Sequence, residues 1–153
     1  MTDTIKVAVI GAGMMGKNHL KTYKGLNGVE LVGVYDIFPE ACKAAAETFG
    51  IKAFSSLEEV AENVDAVSVV TTSVTHAEVG EFFLNRGIHC LMEKPLATTE
   101  AECQRLISAA KNNNVTLLVG HIEQFNPAVE QMHKILSDTS KICSLTAQRM
   151  SAA

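Results

Sequence analysis

Two groups of residues in this chain have the types and spacing to do chemistry: Gly11-Ala12-Gly13-Met14-Met15-Gly16 with Asp36 behind it, and Glu93-Lys94-Pro95. The glycine run follows an apolar stretch, Ile5-Lys6-Val7-Ala8-Val9-Ile10, and precedes residues whose apolar members recur at helical spacing. In such a strand-turn-helix each glycine has its own task. Gly11 permits the tight turn, Gly13 leaves room for a diphosphate to approach the backbone, and Gly16 lets the helix pack against the strand. Unpaired N–H groups at the helix start carry roughly half a positive charge and attract an anion. Asp36 comes about 20 residues after Gly16, the separation at which a carboxylate closing the second strand accepts hydrogen bonds from an adenosine ribose. The pattern predicts a dinucleotide site built on Gly11, Gly13, Met14, Met15, Gly16 and Asp36, and an acid at position 36 favours NAD over NADP. A glycine-rich turn with an unrelated surface aspartate is the plain alternative.

Lys94 stands just past a predicted strand over residues 88–92, on the sheet edge where the reactive end of such a cofactor lies. Its ammonium can hydrogen-bond a substrate hydroxyl, and a lysine desolvated beside a positive charge becomes a usable acid or base. A solvated lysine at a strand end is the alternative. Pro95 restricts the backbone there and is a position for a cis bond. Gly120-His121-Ile122-Glu123-Gln124-Phe125-Asn126-Pro127 follows another predicted strand, so His121, Glu123 and Asn126 are candidates for the substrate side. Asn126 can equally be a helix cap with Pro127 in the first turn. Thr71, Thr72, Ser73 and His76 follow a further strand and can touch the cofactor through backbone and hydroxyls, or simply start a helix. His19, His89 and His133 fall within helix or strand periods and read as packing or surface positions. No Ser-His-Asp order or nucleophile elbow is visible.

The elements that must position these groups are legible in the periodicity. Six predicted strands, over residues 5–10, 30–35, 51–54, 66–71, 88–92 and 115–119, alternate with five helices. Pro39 marks one helix start; Ser56-Leu57-Glu58-Glu59, Thr75-His76-Ala77-Glu78 and Thr99-Glu100-Ala101-Glu102 have the form of capping boxes. Gly28, Gly50 and Gly87 mark helix ends. The alternation predicts an α/β fold, a doubly wound parallel sheet of Rossmann type, with ligands outside the carboxyl ends of the strands. A further helix begins at Asn126-Pro127, and residues 142–150 read as the first strand of a second α/β domain. The expected division is a dinucleotide-binding domain over residues 1–137 and a linker with the start of a second domain over 138–153. An unpaired strand there would expose backbone donors and acceptors and favour a homo-oligomer.

The bulk numbers narrow the class. A chain of 153 residues, 47% hydrophobic and 20% charged, is globular and buries a sizeable core. With a net charge of −4 and no Lys/Arg cluster, it has no electrostatic footprint for nucleic acid or an anionic membrane. The amino terminus lacks a signal peptide, and no apolar run reaches membrane-spanning length, so a cytoplasmic location is expected. Cys42, Cys90, Cys103 and Cys143 show no metal-ligand spacing and read as reduced structural thiols, with no metal site expected.

Gly11-x-Gly13-x-x-Gly16, Asp36, Glu93-Lys94-Pro95 and the stretch from Gly120-His121 to Pro127 together resemble the amino-terminal domain of the Gfo/Idh/MocA oxidoreductases, over nearly the whole chain. The form Gly-His-x-Glu-x-Phe-Asn-Pro looks most like the branch acting on UDP-N-acetylglucosamine-type sugar nucleotides. The resemblance implies hydride transfer between a sugar or sugar-nucleotide secondary alcohol and the nicotinamide of NAD, with Lys94 as the catalytic lysine. It also implies Glu93 and His121 at the nicotinamide and substrate edge and residues 72–76 along the cofactor. Two positions depart from the family pattern: Thr72 stands where many members have proline, and Gln124 where the sugar-nucleotide branch commonly has arginine. Family enzymes continue into a second α/β domain that closes the substrate pocket. The expectation is a chain that binds NAD but, truncated, turns over little or no substrate alone. A rival from another class is a free-standing NAD-binding module, acting as a sensor or a partner's subunit.

Overall fold

β1 (Ile5–Ile10) pairs with a strand on each side, and its residues from Val7 to Ile10 are buried, successive side chains on opposite faces of the sheet. Ala8 and Ile10 join one apolar cluster and Val9 the other, and all three are at most 1% exposed. The computed structural model describes residues 4–136 together with positions 144, 146 and 148. Around β1 lie β2 (Val29–Tyr35), β3 (Lys52–Ala53), β4 (Ala66–Val69), β5 (His89–Met92) and β6 (Leu117–Val119). The sheet order is β3-β2-β1-β4-β5-β6 and every pairing is parallel. The expected doubly wound α/β sheet is therefore present.

Five helices make the crossovers: α1 (Met14–Lys24), α2 (Pro39–Phe49), α3 (Leu57–Ala61), α4 (His76–Leu84) and α5 (Glu100–Asn112). Leu20 of α1 and Cys42, Ala45 and Ala46 of α2 pack with Val9 and Val34 on one face. Val60 of α3, Phe83 and Leu84 of α4 and Leu106 of α5 pack with Ala8, Ile10 and Met92 on the other. The chain reverses its winding between β1 and β4, so the helices that follow those two strands lie on opposite faces and leave a crevice at the carboxyl edge.

Local chemistry explains the helix boundaries, with two departures from the expected N-terminal caps and one at a helix end, where Gly25 and not Gly28 closes α1. Thr99 forms the full reciprocal box with Glu102. Ser56 Oγ accepts from the Glu59 N–H at 3.1 Å, but the Glu59 carboxylate turns to the Ser55 N–H and hydroxyl and to Lys52, so that box is not closed. Those partners hold the Glu59 carboxyl down at about 2, the Lys52 ammonium first among them. Thr75 does not cap α4 at all. A 3-10 turn, Ser73–Thr75, runs straight into the helix, so Thr75 already has helical backbone angles and its hydroxyl donates back to Thr71 Oγ1 and the Thr72 carbonyl. β4 ends at Val69, which leaves Thr71 in the loop instead of the strand.

The chain divides into two compact units, Met1–Gly120 and His121–Ala153. In the second, a 3-10 turn at Ile122–Phe125 precedes α6 (Pro127–Ile135), whose first turn is capped by Asn126 Oδ1 accepting from the Ala128 N–H at 3.0 Å. The expected boundary between residues 137 and 138 and the strand over 142–150 lie outside the described residues, apart from the three isolated positions. Among the described residues no helix is long and apolar enough to cross a membrane. Cys42, Cys90 and Cys103 are free thiols, and burial pushes Cys90 up to about 12; Cys143 lies outside the described residues.

Phe83 is fully buried between α4 and the sheet and meets Phe82 edge-to-face at 5.1 Å. Phe83→Ala is expected to cost about 3–5 kcal/mol of unfolding free energy in urea titrations. A loss under about 1 kcal/mol would contradict this packing.

Candidate functional site

The turn after β1 is held from three sides. The Gly11 N–H donates to the Tyr35 carbonyl at 2.7 Å, and Gly11 has φ +108°. A Cβ on Gly11 would stand 2.7 Å from the Val70 carbonyl oxygen, and one on Gly16 would overlap the Gly11 carbonyl itself. The backbone therefore has to be glycine at both positions for α1 to start this close to the sheet. Gly13 is the N-cap of α1; no side chain caps the helix and its first turn holds no acid. A Cβ on Gly13 would meet no protein atom within 4 Å, so the uncapped N–H groups open toward space.

Asp36 closes β2 and faces the same turn. Its Oδ2 accepts from the Ala12 N–H at 2.7 Å and its Oδ1 from the Phe38 N–H at 2.9 Å. Each oxygen keeps a further lone pair for a ligand hydroxyl. Beneath it, burial pushes the Cys42 thiol up, and the thiol donates to the Val34 carbonyl at 3.2 Å, so it is a packing group here. A cavity of about 550 Å³ is lined by Gly11, Gly13, Asp36, Phe38, Thr71 and Thr72. A second, of about 270 Å³, is lined by Met15, Thr71, Ser73, His76, Glu93 and Lys94. Val70 and Thr71 border both.

The structure thus gathers most of the expected residues on one edge of the sheet, with exceptions. Met14 is 81% exposed and lines neither cavity, and Gly16 is buried under the turn. His76 is 1% exposed, its Nδ1 lying 2.8 Å from the Pro95 carbonyl and its Nε2 3.1 Å from that of Thr71. A neutral ring donates to one of those oxygens and an imidazolium to both, so His76 ties the loop after β4 to the Lys94-Pro95 segment as a wall. The Lys94-Pro95 bond is cis. His121, Glu123 and Asn126 belong to the second unit, where Asn126 both caps α6 and donates to Glu123 Oε2 at 3.0 Å.

Two sets of residues escaped the sequence. Ile37 and Phe38 are 73% and 66% exposed and, with Val79, supply apolar lining to the larger cavity; two bulky apolar residues in the loop after Asp36 were the available signal. His19, expected to be a packing or surface residue, bonds Ser68 and Glu93 at 3.1 Å each. Its partners lie 49 and 74 positions away, and no local pattern marks them. Among the described residues, no group of three His, Cys, Asp or Glu side chains is arranged to hold a metal ion.

Residues 5–121 match a family described as an oxidoreductase family with an NAD-binding Rossmann fold. The chain belongs to the Gfo/Idh/MocA oxidoreductases. This Gfo/Idh/MocA chain is 34% identical over 130 residues to a UDP-N-acetylglucosamine 3-dehydrogenase of Acidithiobacillus ferrooxidans, covering 85% of this chain and 41% of the relative. The solved structure of that dehydrogenase superposes with a TM-score of 0.81, covering 86% of this chain and 41% of that one. GenD2 from gentamicin A biosynthesis, crystallised with NAD, is 26% identical with a TM-score of 0.86, covering 93% of this chain and 41% of GenD2. KijD10, a 3-ketoreductase from Actinomadura kijaniata crystallised with NADP, is 27% identical with a TM-score of 0.81, covering 88% and 44%. The chain therefore spans less than half of the first relatives it matches, 36–47% of their length, and the part it matches is their NAD-binding domain.

Asp36 accepts from two backbone N–H groups of its own fold. Asp36→Ala is expected to lower the unfolding free energy of the ligand-free protein by about 1–2 kcal/mol, and Asp36→Asn by less, in urea titrations. Unchanged stability in Asp36→Ala would show that these bonds do not hold the turn.

Proposed function

We propose that these 153 residues hold the cofactor and the proton-transfer group of an NAD-dependent oxidoreductase. The proposed substrate is a secondary alcohol of a sugar or sugar nucleotide. The observation that carries this reading is that two cavities adjoin at Val70 and Thr71, which line both: Gly11, Gly13 and Asp36 on one, Glu93 and Lys94 on the next. In this reading the diphosphate sits on the uncapped start of α1, where unpaired N–H groups and the helix dipole favour an anion. The Asp36 oxygens accept from the adenosine ribose, and Ile37, Phe38 and Val79 border the adenine.

Bound NAD supplies the hydride acceptor. Lys94, exposed beside the smaller cavity, would bind the substrate hydroxyl and, as the neutral amine, accept its proton. Thr71, Thr72 and Ser73 contact the cofactor along the loop after β4, while His121, Glu123 and Asn126 are the substrate-side candidates of the second unit. A sugar-nucleotide substrate is supported by the 34% identity to a UDP-N-acetylglucosamine 3-dehydrogenase. Lys94 on the adjoining cavity favours an enzyme over a cofactor sensor, which has no use for a proton acceptor there. Since the relatives are more than twice as long, the 153 residues bind NAD without turnover on their own. The proposed setting is the cytoplasm, where thiols stay reduced.

Calorimetric titration tests the cofactor half. NAD is expected to bind at least about tenfold tighter than NADP, because a 2′-phosphate would meet the Asp36 carboxylate, and Asp36→Ala is expected to erase that preference. Equal affinities in the starting protein would overturn the role given to Asp36. For the chemistry, the 153-residue chain with NAD and UDP-N-acetylglucosamine is expected to give no rise in absorbance at the NADH wavelength. Robust NADH formation would show that the catalytic site is complete here.

A further inference from the structure

We propose that His19 is a positioning residue for Glu93 and, through it, sets how strongly the site prefers the oxidised over the reduced cofactor. This rests on the reading that the smaller cavity receives the nicotinamide. His19 and Tyr23 lie four residues apart, on one face of α1. Tyr23 Oη lies 2.7 Å from Ser68 Oγ, Ser68 Oγ 3.1 Å from His19 Nδ1, and His19 Nε2 3.1 Å from Glu93 Oε1. Ser68 is fully buried in β4, and Glu93, the first residue after β5, is 7% exposed.

One proton arrangement satisfies the whole chain. A Glu93 carboxylate only accepts, so Nε2 carries the ring hydrogen; a neutral ring then accepts at Nδ1 from the Ser68 hydroxyl, whose oxygen accepts from Tyr23. The other Glu93 oxygen accepts from the Lys94 N–H at 3.1 Å. Gly120 closes the remaining side, since a Cβ there would stand 2.9 Å from Glu93 Oε1. The carboxylate is therefore clamped at both oxygens, on the wall of the cavity that Lys94 also lines. A negative charge held there attracts the cationic ring of NAD+ and has no such attraction for the neutral ring of NADH. The bonds run to β4 and to the segment after β5, so losing the ring frees the carboxylate without touching the turn at Gly11 and Gly13.

The test titrates NAD+, NADH and ADP-ribose, which lacks the nicotinamide, into the 153-residue chain and its variants. For His19→Ala, ADP-ribose affinity is expected to stay within about twofold, while NAD+ affinity falls about tenfold and NADH affinity falls less. His19→Gln, which keeps a donor for Glu93, is expected to recover most of the loss, and Ser68→Ala to move the NAD+ to NADH ratio in the same direction as His19→Ala. Glu93→Gln should remove the NAD+ preference outright. An equal fall for all three ligands in His19→Ala would mean that the ring merely packs α1, and would overturn the proposal. So would no change in His19→Ala where Glu93→Gln still weakens NAD+, and in that case the nicotinamide placement survives. If Glu93→Gln and Lys94→Ala both leave the NAD+ to ADP-ribose ratio untouched, the placement itself fails and the proposal with it.

Discussion

The contact between Gly16 and the Gly11 carbonyl is the constraint on which the site depends. Only without side chains at both positions can α1 begin directly against the end of β1. That closeness puts the helix start, with its unsatisfied N–H groups, at the carboxyl edge of the sheet. Asp36 completes the arrangement from β2 by accepting from the Ala12 N–H inside the same turn. The uncapped N–H groups and the Asp36 carboxylate thus meet at one turn of the chain.

The sheet order then decides what else lies at that edge. Because β4 pairs with β1 and β5 with β4, the loops after those strands stand next to the turn, although they are some 60 and 80 residues away in sequence. The Thr71 to His76 loop and the Glu93-Lys94-Pro95 segment become the far wall of the crevice, tied together by the His76 ring. α1 reaches the same wall from below through His19. A single helix therefore carries the uncapped N–H groups on its first turn and a hold on Glu93 from its second.

Much of this was legible in the sequence, because the signals were local. The strand-glycine-helix pattern, the apolar run of β1, the Thr99 box and the Asn126-Pro127 cap all depend on residues within one or two turns of each other, and each formed as expected. The expectations that changed were those in which a neighbour competed. Thr75 had the composition of a cap but was drawn into a preceding 3-10 turn, and the Glu59 carboxylate found Lys52 and Ser55 better placed than the backbone of Ser56. Ile37 and Phe38 have no period to betray a shared wall, being exposed apolar residues in a loop.

By itself the sequence determined the class of fold, the place of the glycine turn between β1 and α1 and the presence of Asp36 and Lys94 at the ends of β2 and β5, since strand and helix periods and glycine spacing are properties of short segments. Only the tertiary structure decided that His19, Ser68, Tyr23 and Glu93 form one chain of hydrogen bonds and that His76 is a buried tie instead of an open donor. The physical reason is that a hydrogen bond needs its partners within about 3 Å, and which distant residues come that close is set by strand order and helix packing.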